Sequence, residues 1–296
     1  METRSAFIAI VGCPNVGKSS LLNEILGQKI AIVSNKPQTT RTKIMGVLTK
    51  ESVQLIFTDT PGLHRAKNKL SEHMVKAVTD SVCDVDMILF VTEAKGKIRP
   101  EELELIERFK KLSVPVLLVI NKIDLLDNKQ QLAARIDAYA QLFDFTAVIP
   151  ISVTEHDGIE LVTKELENRA PAGVHYFPDD TLTDQTERVL VSEIIREKVL
   201  LLFRQEIPHG IAVSVESMKE RPKNGIMDIE ATIFCEKSSH KGMLIGKGGV
   251  MLKQIGSLAR ADLEHFFSIR INLQLWVKVR EDWRNKEGII RSFGLS

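Results

Sequence analysis

Residues 12–20 hold the sequence pattern that most constrains how this chain can fold. The segment fits G-x-x-x-x-G-K-[S/T], and its residues are Gly12, Cys13, Pro14, Asn15, Val16, Gly17, Lys18, Ser19 and Ser20. An apolar run at 6–11 comes before it, and a helical pattern that ends at Gly27 comes after it. A strand, a glycine loop and a helix in this order form the context that a phosphate-binding loop requires. We therefore predict a nucleoside triphosphate site here rather than a glycine-rich turn with a solvated lysine.

The residue types in this loop match the chemistry of a triphosphate. Backbone N–H groups around the glycines converge on the β-phosphate, and the positive end of the helix dipole adds to their attraction. We expect Lys18 to reach the β- and γ-phosphates and the Ser19 hydroxyl to bind Mg²⁺. Lys18 is thus a predicted catalytic residue, since it stabilises charge on the transferred phosphoryl group.

A second motif lies downstream of the loop, where Asp59, Thr60, Pro61 and Gly62 follow an apolar strand predicted at 53–57. An aspartate at the carboxyl end of a strand, followed by a Pro-Gly turn, suits a second residue on the Mg²⁺ side of the site. Alone, this tetrapeptide is a common turn. Its position after a phosphate loop favours the metal-site interpretation.

The segment 29–43 is polar and rich in threonine, and it predicts a long loop of the kind that carries function. We expect Thr40 to contact Mg²⁺ and the γ-phosphate, with Thr39 and Thr42 as the alternatives. Together with the loop around 60–68, this segment is expected to be ordered by the γ-phosphate and released on hydrolysis. Ser19, Thr40 and Asp59 therefore form the predicted metal site.

Two further strand ends predict which base is bound. Apolar strands at 114–120 and 147–151 deliver Asn121, Lys122 and Asp124 and then Ser152 and Val153. The Asp124 carboxylate can accept two hydrogen bonds from guanine, and adenine would leave it unpaired. The alternation of helices and strands predicts a doubly wound α/β domain with all of these loops at one edge of its sheet. The nucleotide is therefore expected to be GTP or GDP.

The pattern changes after residue 168, where prolines and glycines without periodicity indicate a linker. We predict a GTPase domain at 1–170, a linker at 171–183 and a second domain at 184–296. The second domain has the predicted order α-β-β-α-α-β, with a G-x-x-G loop before a helix at 250–267. That order favours a KH module, which clamps unpaired nucleotides, over an ordinary helix-entry turn. Its predicted RNA-binding residues are Lys241, Ile245, Gly246, Lys247, Gly248, Gly249 and Lys253.

Composition adds limits on the class of protein. The chain has 296 residues, 44% hydrophobic and 27% charged, which suits two globular domains. Cys13, Cys83 and Cys235 are too few and too scattered for a disulfide framework or a zinc site. We expect Cys13 to be an inert small side chain. No secretory signal or membrane-spanning apolar run is present, so we expect a cytoplasmic protein.

Several segments together resemble the Era family, a branch of the translation-factor-related GTPases that carries a C-terminal KH domain. They are Gly12-x-Pro14-Asn15-Val16-Gly17-Lys18-Ser19, Thr39-Thr40-Arg41, Asp59-Thr60-Pro61-Gly62, Asn121-Lys122-x-Asp124, His175-Tyr176-Phe177-Pro178, Glu193-Ile194-Ile195-Arg196-Glu197-Lys198, Gly246-Lys247-Gly248-Gly249, Asp282-Trp283-Arg284 and Ile290-Arg291-Ser292-Phe293-Gly294. The resemblance covers nearly the whole chain. It departs from the family at Val153, where an alanine is usual.

The resemblance implies a fold, a reaction and partners. The fold is a P-loop GTPase domain followed by an α+β KH domain of type II, and the reaction is GTP hydrolysis with Mg²⁺. The partners are the single-stranded 3′ end of small-subunit ribosomal RNA and the small ribosomal subunit, whose assembly the protein would assist as a monomer. The family also implies peripheral association with the cytoplasmic face of the inner membrane, for which the sequence shows no motif.

Hydrolysis is expected to be slow without an activator. Leu63 stands where many small GTPases have a glutamine that orients the attacking water, and we find no arginine placed to act in cis. A missing charge partner is worth about 10³–10⁵ in rate, so RNA or the ribosome is a candidate activator. Asn15 matches the position that holds a K⁺ ion in sibling GTPases, which makes it a candidate catalytic residue.

Overall fold

The computed structural model describes residues 2–36, 38–62, 68–80, 84–203, 207–222 and 225–295. Within these ranges the chain forms two compact units. The first contains 2–31, 40–62 and most of 74–184, and the second contains 32–39, 68–73 and the part from 185 onward. The domain boundaries drawn from the sequence stay a prediction, because the two units alternate along the chain.

The first unit is built on a sheet with the strand order β2-β3-β1-β4-β5-β6. β2 is antiparallel to β3, and the other neighbours are parallel. This confirms the predicted α/β class. The strands are β1 (Arg4–Val11), β2 (Ile44–Lys50), β3 (Val53–Asp59), β4 (Met87–Glu93), β5 (Val116–Asn121) and β6 (Ala147–Pro150).

The helices that accompany this sheet begin and end at the signals that the sequence carries. Helix α1 ends at Gly27, whose φ of 66° is in the left-handed region. Helix α3 opens with Pro100, and the Glu102 carboxylate accepts a 2.7 Å hydrogen bond from the Arg99 backbone N–H. The helices are α1 (Lys18–Leu26), α2 (Lys69–Asp80), α3 (Pro100–Phe109), α4 (Lys129–Ala140) and α5 (Ile159–Arg169).

Strand register brings the loops of the site to one edge of the sheet. The central strands are buried throughout, which explains their continuous apolar sequences. Ile10 pairs with Asp59, and Glu93 pairs with Asn121. Because parallel strands end on the same side, the loops that follow β1, β3, β4 and β5 converge there.

The segment predicted as a linker, 171–183, is irregular, and it is hydrogen-bonded along the sheet of the first unit. The Gln54 side chain accepts hydrogen bonds from the backbone N–H groups of Tyr176 and Phe177 at 2.8 and 3.0 Å. The Gly173 N–H donates to the Thr3 carbonyl at 2.9 Å. The prolines and glycines here prevent a helix or strand, but they do not prevent packing.

The second unit has the predicted order α-β-β-α-α-β. Its sheet has the order β7-β8-β9, in which β7 and β8 are antiparallel and β8 and β9 are parallel. None of the described helices is long and apolar enough to cross a membrane. The elements are α6 (Glu187–Leu202), β7 (Ala212–Glu220), β8 (Ile226–Cys235), α7 (Ser238–Ile245), α8 (Val250–Phe267), β9 (Arg270–Val279) and α9 (Glu287–Ser292).

The two faces of this second sheet differ in composition. One face packs against α6 and α8 through buried residues such as Ile195, Ile233 and Leu263. On β9, the even-numbered residues point to the opposite face. They include Trp276, whose side chain is 43% exposed, and the exposed Lys278. The main hydrophobic core of this unit therefore lies on the side of α6 and α8, and a smaller aromatic cluster of Phe234, Phe293 and Trp283 packs elsewhere.

Helix α6 also holds the segment 32–39 within the second unit. The buried Arg196 side chain donates hydrogen bonds to the backbone carbonyls of Gln38 and Thr39 and is paired with Glu193. The Glu197 carboxylate accepts a 2.9 Å hydrogen bond from the Val33 N–H. Charge-assisted bonds to backbone groups are the stronger kind, so this segment is firmly attached to α6.

Candidate nucleotide and RNA sites

The phosphate loop has the backbone shape that an anion requires. Gly17 has a φ of 101°, and a Cβ there would lie 2.2 Å from the Asn121 amide nitrogen, so only glycine fits. The buried Lys18 ammonium donates to the backbone carbonyls of Gly12 and Cys13 at 3.2 and 3.0 Å. Burial lowers the pKa of Lys18 from its ordinary value. The Asp59 carboxylate partly offsets this effect, and a bound phosphate would add further negative charge beside the buried ammonium.

Three oxygen-bearing side chains meet beside Lys18. The Ser19 hydroxyl donates to the Asp59 carboxylate at 2.6 Å and lies 2.9 Å from the Thr40 hydroxyl. Asp59 is fully buried, and burial raises its carboxyl pKa above the ordinary value. Its second oxygen, Oδ1, accepts no hydrogen bond from any described residue. Hydroxyls and a buried, unsatisfied carboxylate are the hard oxygen donors that Mg²⁺ prefers, so these residues fit that ion.

The alternatives for the switch threonine are placed differently. The Thr39 hydroxyl donates to the Lys36 carbonyl at 2.6 Å and lies 2.7 Å from the Ser34 hydroxyl. Thr40 is the threonine that the structure brings to Ser19. Leu63, on which the expectation of slow hydrolysis rests, lies outside the described residues.

The predicted residues of the second motif surround the phosphate loop. The Thr60 hydroxyl donates to the Ile10 carbonyl at 2.9 Å. A Cβ added to Gly62 would lie 2.7 Å from the Pro14 Cα, which shows that the two loops touch. Val16 and Thr60 are buried, and Asn15 is exposed with a left-handed φ of 66°.

The predicted base-binding residues are tied to each other and to the phosphate loop. The Asn121 amide donates to the Val16 carbonyl at 2.9 Å, and its oxygen accepts from the Lys122 and Val153 N–H groups at 2.7 and 3.3 Å. The Ser152 hydroxyl donates to the Asp124 carboxylate at 2.6 Å. Asp124 is otherwise exposed at the surface, where a guanine edge can reach it.

The sequence analysis did not predict an ion-pair cluster at the end of β4. The Glu93 carboxylate binds the Lys122 ammonium and the Arg99 guanidinium, the latter at 2.6 Å. Lys122 also donates to the Asn15 carbonyl at 2.7 Å, and Arg99 contacts the Pro14 carbonyl at 3.5 Å. Glu93 therefore connects the base loop and the phosphate loop. The only signal in the sequence was its place at the end of a buried strand.

Cys13 is buried within the phosphate loop at 1% exposure. Burial, together with the nearby Glu102 carboxylate, raises the pKa of its thiol to about 12. The side chain is therefore a protonated thiol at neutral pH, as the expectation of an inert residue requires.

The second unit carries the predicted G-x-x-G turn between α7 and α8. Gly248 has a φ of 62°, and an added Cβ would meet nothing within 4 Å, so its backbone is open to a ligand. Lys247 is exposed, and Gly246 and Gly249 flank the turn with positive φ. The Ile245 side chain packs partly against the core instead, and Lys241 is half-buried on α7.

A groove of about 410 Å³ begins at this turn. Lys253, Gly256 and Arg260 line it from α8, and Gly249 lines it from the turn before that helix. Leu252, Ser257, Leu273 and Leu275 complete the lining. Most of these residues were missed in the sequence, although the spacing of Gly249, Lys253, Gly256 and Arg260 on one helix face was a usable signal. The groove combines an apolar floor with cationic edges, which suits a nucleobase and its phosphates.

Comparisons with known proteins match a family model to each of two parts of the chain. Residues 7–122 match the family model for a 50S ribosome-binding GTPase, and residues 206–284 match the model for a KH domain. The chain is 50% identical to the GTPase Era of Ruminiclostridium cellulolyticum, over 99% of this chain and 98% of that protein. It is also 50% identical to the GTPase Era of Clostridioides difficile, over 98% of each.

Two solved structures are similar over their whole length. One is a variant of Aquifex aeolicus Era bound to GDP and AlF₄⁻, with a TM-score of 0.95 and 37% identity over 99% of this chain and 100% of that one. The other is Era in complex with MgGDPNP and nucleotides 1506–1542 of 16S ribosomal RNA, with a TM-score of 0.95 and 37% identity over 99% of each chain.

A P-loop nucleotide-binding unit joined in one chain to a KH unit defines a GTPase with its own RNA-binding module. The identity to curated relatives extends over almost every residue of both units. The chain belongs to the Era family of GTPases. It binds GTP and hydrolyses it, as a molecular switch does.

Proposed function

We propose that this GTPase is a nucleotide-gated RNA clamp that binds the single-stranded 3′ end of small-subunit ribosomal RNA and assists assembly of the small subunit. The observation that carries the proposal is the groove beside the G-x-x-G turn, because it supplies an RNA site in the same chain as the GTP site. A related structure contains nucleotides of 16S ribosomal RNA together with MgGDPNP, which supports the same ligand for this chain.

The chemistry of the groove explains why the RNA would be unpaired. Leu252, Leu273 and Leu275 offer an apolar surface for the flat face of a base, and a paired base has no free face to give. Gly256 removes a side chain from the middle of α8, so a base can come close to the helix. Lys253 and Arg260 lie at the same groove for the phosphates.

The residues of the GTP site have assigned roles in this proposal. Lys18 neutralises charge on the β- and γ-phosphates, and Asp124 reads the guanine edge. Ser19, Thr40 and Asp59 would hold Mg²⁺, which stabilises the charge that develops on the phosphates. Thr40 is joined by one peptide bond to Thr39, the last residue of segment 32–39, so loss of the γ-phosphate is sensed at the end of that segment.

The intrinsic hydrolysis rate is proposed to be slow, with bound RNA or the ribosome as activator. The Arg99 guanidinium is engaged by Glu93 and the Pro14 carbonyl, so it is not free to act as a catalytic arginine. Asn15, exposed on the phosphate loop, is the proposed K⁺ ligand that replaces such an arginine. Equal hydrolysis rates in K⁺ and Na⁺ buffers would remove that role.

The proposed partner also sets the location. A protein that assists the small ribosomal subunit works in the cytoplasm, and we propose that it does so as a monomer. Peripheral membrane association is proposed from the family alone. A flotation assay with vesicles of anionic phospholipid tests it, and a protein that stays at the bottom of the gradient argues against it.

The decisive experiment measures RNA binding in each nucleotide state. Fluorescent oligonucleotides with the sequence of the 3′ end of small-subunit ribosomal RNA are titrated with protein that holds a non-hydrolysable GTP analogue or GDP. Gly248→Asp puts a carboxylate against the RNA backbone, and Gly225→Asp is its matched control. Both glycines have left-handed φ and no atom near the added Cβ, and aspartate tolerates that backbone.

We expect tight binding with the analogue, weaker binding with GDP, and loss of binding in Gly248→Asp but not in Gly225→Asp. Binding that ignores both the nucleotide and the Gly248 substitution would overturn the clamp. The chain would then be a hydrolytic P-loop enzyme whose KH-like unit is structural core.

A further inference from the structure

The outer face of the second sheet carries a cavity that the groove does not include. It has a volume of about 370 Å³ and lies where β7, β8 and β9 meet helix α9. Phe234 from β8 and Phe293 from the C-terminal segment line it, with ring centroids 5.0 Å apart. A volume of this size falls in the range of small-ligand pockets and accommodates a planar base.

The cavity carries positive charge. Lys278, on β9, and Arg280, directly after that strand, line it, and both side chains are exposed. Neither forms an ion pair with any described residue, whereas Arg221 pairs with Asp228 and Arg284 pairs with Glu236, at 2.6 and 2.5 Å. The Arg280 guanidinium lies 6.0 Å from the centroid of the Phe234 ring, at the wall of the cavity. Two exposed cations without a carboxylate partner therefore offer a site for phosphate groups.

An aromatic side chain lies next to these cations on the same face. Trp276 is two residues before Lys278 on β9, so both side chains point to the outer side of the sheet. Its side chain is 43% exposed, whereas Trp283, the other tryptophan, is fully buried. An exposed indole beside exposed cations at a sheet surface is an arrangement on which unpaired bases stack.

We infer that the outer face of this sheet is a second RNA-binding site, which takes an unpaired nucleotide of the RNA strand that also occupies the groove. This inference rests on the proposed function. A base enters the cavity beside Phe234 and Phe293, Lys278 and Arg280 contact phosphates, and a neighbouring base stacks on Trp276. Glu216 also lines the cavity, and its carboxylate repels phosphate, so the phosphates lie on the β9 side.

The fluorescence emission of Trp276 can report binding at this second site. Stacking of a base quenches the emission of an exposed indole, while Trp283 is shielded and donates its indole N–H to the Gly210 carbonyl at 2.9 Å. Protein with bound GTP analogue is titrated with two RNAs: a tetranucleotide, about the length that a KH module clamps, and a longer oligonucleotide that extends beyond it. We expect quenching with the longer RNA only, and no quenching in Trp276→Phe.

Substitution of the two cations tests the phosphate contacts. In Lys278→Ala/Arg280→Ala, we expect unchanged affinity for the tetranucleotide and about tenfold or greater weakening for the longer RNA. The slope of log K against log salt should become shallower by about 1.4, which corresponds to two lost phosphate contacts on a single strand. Lys111→Ala/Lys129→Ala removes the same charge from exposed positions on the first unit and should leave both values unchanged.

Stacking has a separate test. Trp276→Ala should weaken binding of the longer RNA by about 5- to 150-fold, and Trp276→Phe, which keeps an aromatic ring, should recover most of that loss. If all these variants bind the longer RNA as tightly as the wild-type protein does, and the longer RNA does not change Trp276 emission, the second site is refuted. The proposal for the groove would not be affected. If neither RNA binds the wild-type protein, the proposed function itself fails.

Discussion

Asn121 connects the base loop to the phosphate loop, so its side chain should control how well the GTP site is organised. It is 3% exposed and makes hydrogen bonds to three backbone groups, those of Val16, Lys122 and Val153. In Asn121→Ala all three bonds are lost at once, and the buried Val16 carbonyl loses the donor that the Asn121 amide supplies. We expect GTP and GDP affinity to fall together, because both nucleotides use the two loops.

The size of the effect follows from the geometry of the bonds. Two of them are short, at 2.9 and 2.7 Å, and the third is longer, at 3.3 Å. At about 1–1.5 kcal/mol for each short bond and less for the third, the loss is about 2–4 kcal/mol. Since about 1.4 kcal/mol corresponds to a tenfold change in affinity, the dissociation constants should rise about 30- to 700-fold.

The assay is titration with a fluorescent guanine nucleotide, combined with thermal unfolding of the same samples. Asn128→Ala is the matched control, because the Asn128 side chain accepts a hydrogen bond from the Gln131 N–H at the start of α4, away from the loops. It should lower stability by about 1 kcal/mol and leave nucleotide affinity unchanged. If Asn121→Ala binds GTP within threefold of wild type, the argument that this side chain organises the site is refuted.

Three other substitutions have expected outcomes. Glu93→Gln removes the carboxylate that orients Lys122, so GDP should dissociate several-fold faster in stopped-flow displacement, and an unchanged rate would show that Lys122 needs no orientation. Gly256→Leu fills the groove beside the G-x-x-G turn, so RNA affinity should fall at least tenfold. Because leucine favours a helix more than glycine does, the melting temperature should stay the same or rise. Unchanged RNA affinity would show that the base binds elsewhere. Arg196→Ala frees the carbonyls that it binds, so amide hydrogen exchange in 32–39 should accelerate, and unchanged exchange would mean that other contacts hold that segment.

Much of the GTP site could be predicted from the sequence because each motif is local. The loop around Lys18 and the strand end at Asp59 carry their own signals of glycine, charge and apolar strand. What brings Ser19 to Asp59 is the parallel pairing of β1 with β3, and the sequence had predicted that the loops of the site lie at one edge of a doubly wound sheet. The fold class was therefore accessible without coordinates, while the assignment of the metal site stays a prediction.

The residues that were missed depend on register and on single side chains. Glu93 meets Lys122 because β4 and β5 pair Glu93 with Asn121, and a sequence does not state which residues of two strands lie side by side. The Gln54 side chain accepts hydrogen bonds from the segment predicted as a linker, and nothing in the sequence distinguishes this glutamine from any other glutamine in a strand. Leu273 and Leu275 line the RNA groove although their spacing fits an ordinary core strand.

Cys13 gives the phosphate loop a chemical property of its own. With a thiol pKa of about 12, only about one molecule in ten thousand carries a thiolate at pH 8, and the thiolate is the form that oxidants and alkylating agents attack. A cysteine beside the phosphates of GTP would otherwise make the enzyme sensitive to oxidative stress. We therefore expect the enzyme to keep its activity in peroxide while Cys13 stays buried, and the rate of thiol labelling at Cys13 to report how often the phosphate loop opens.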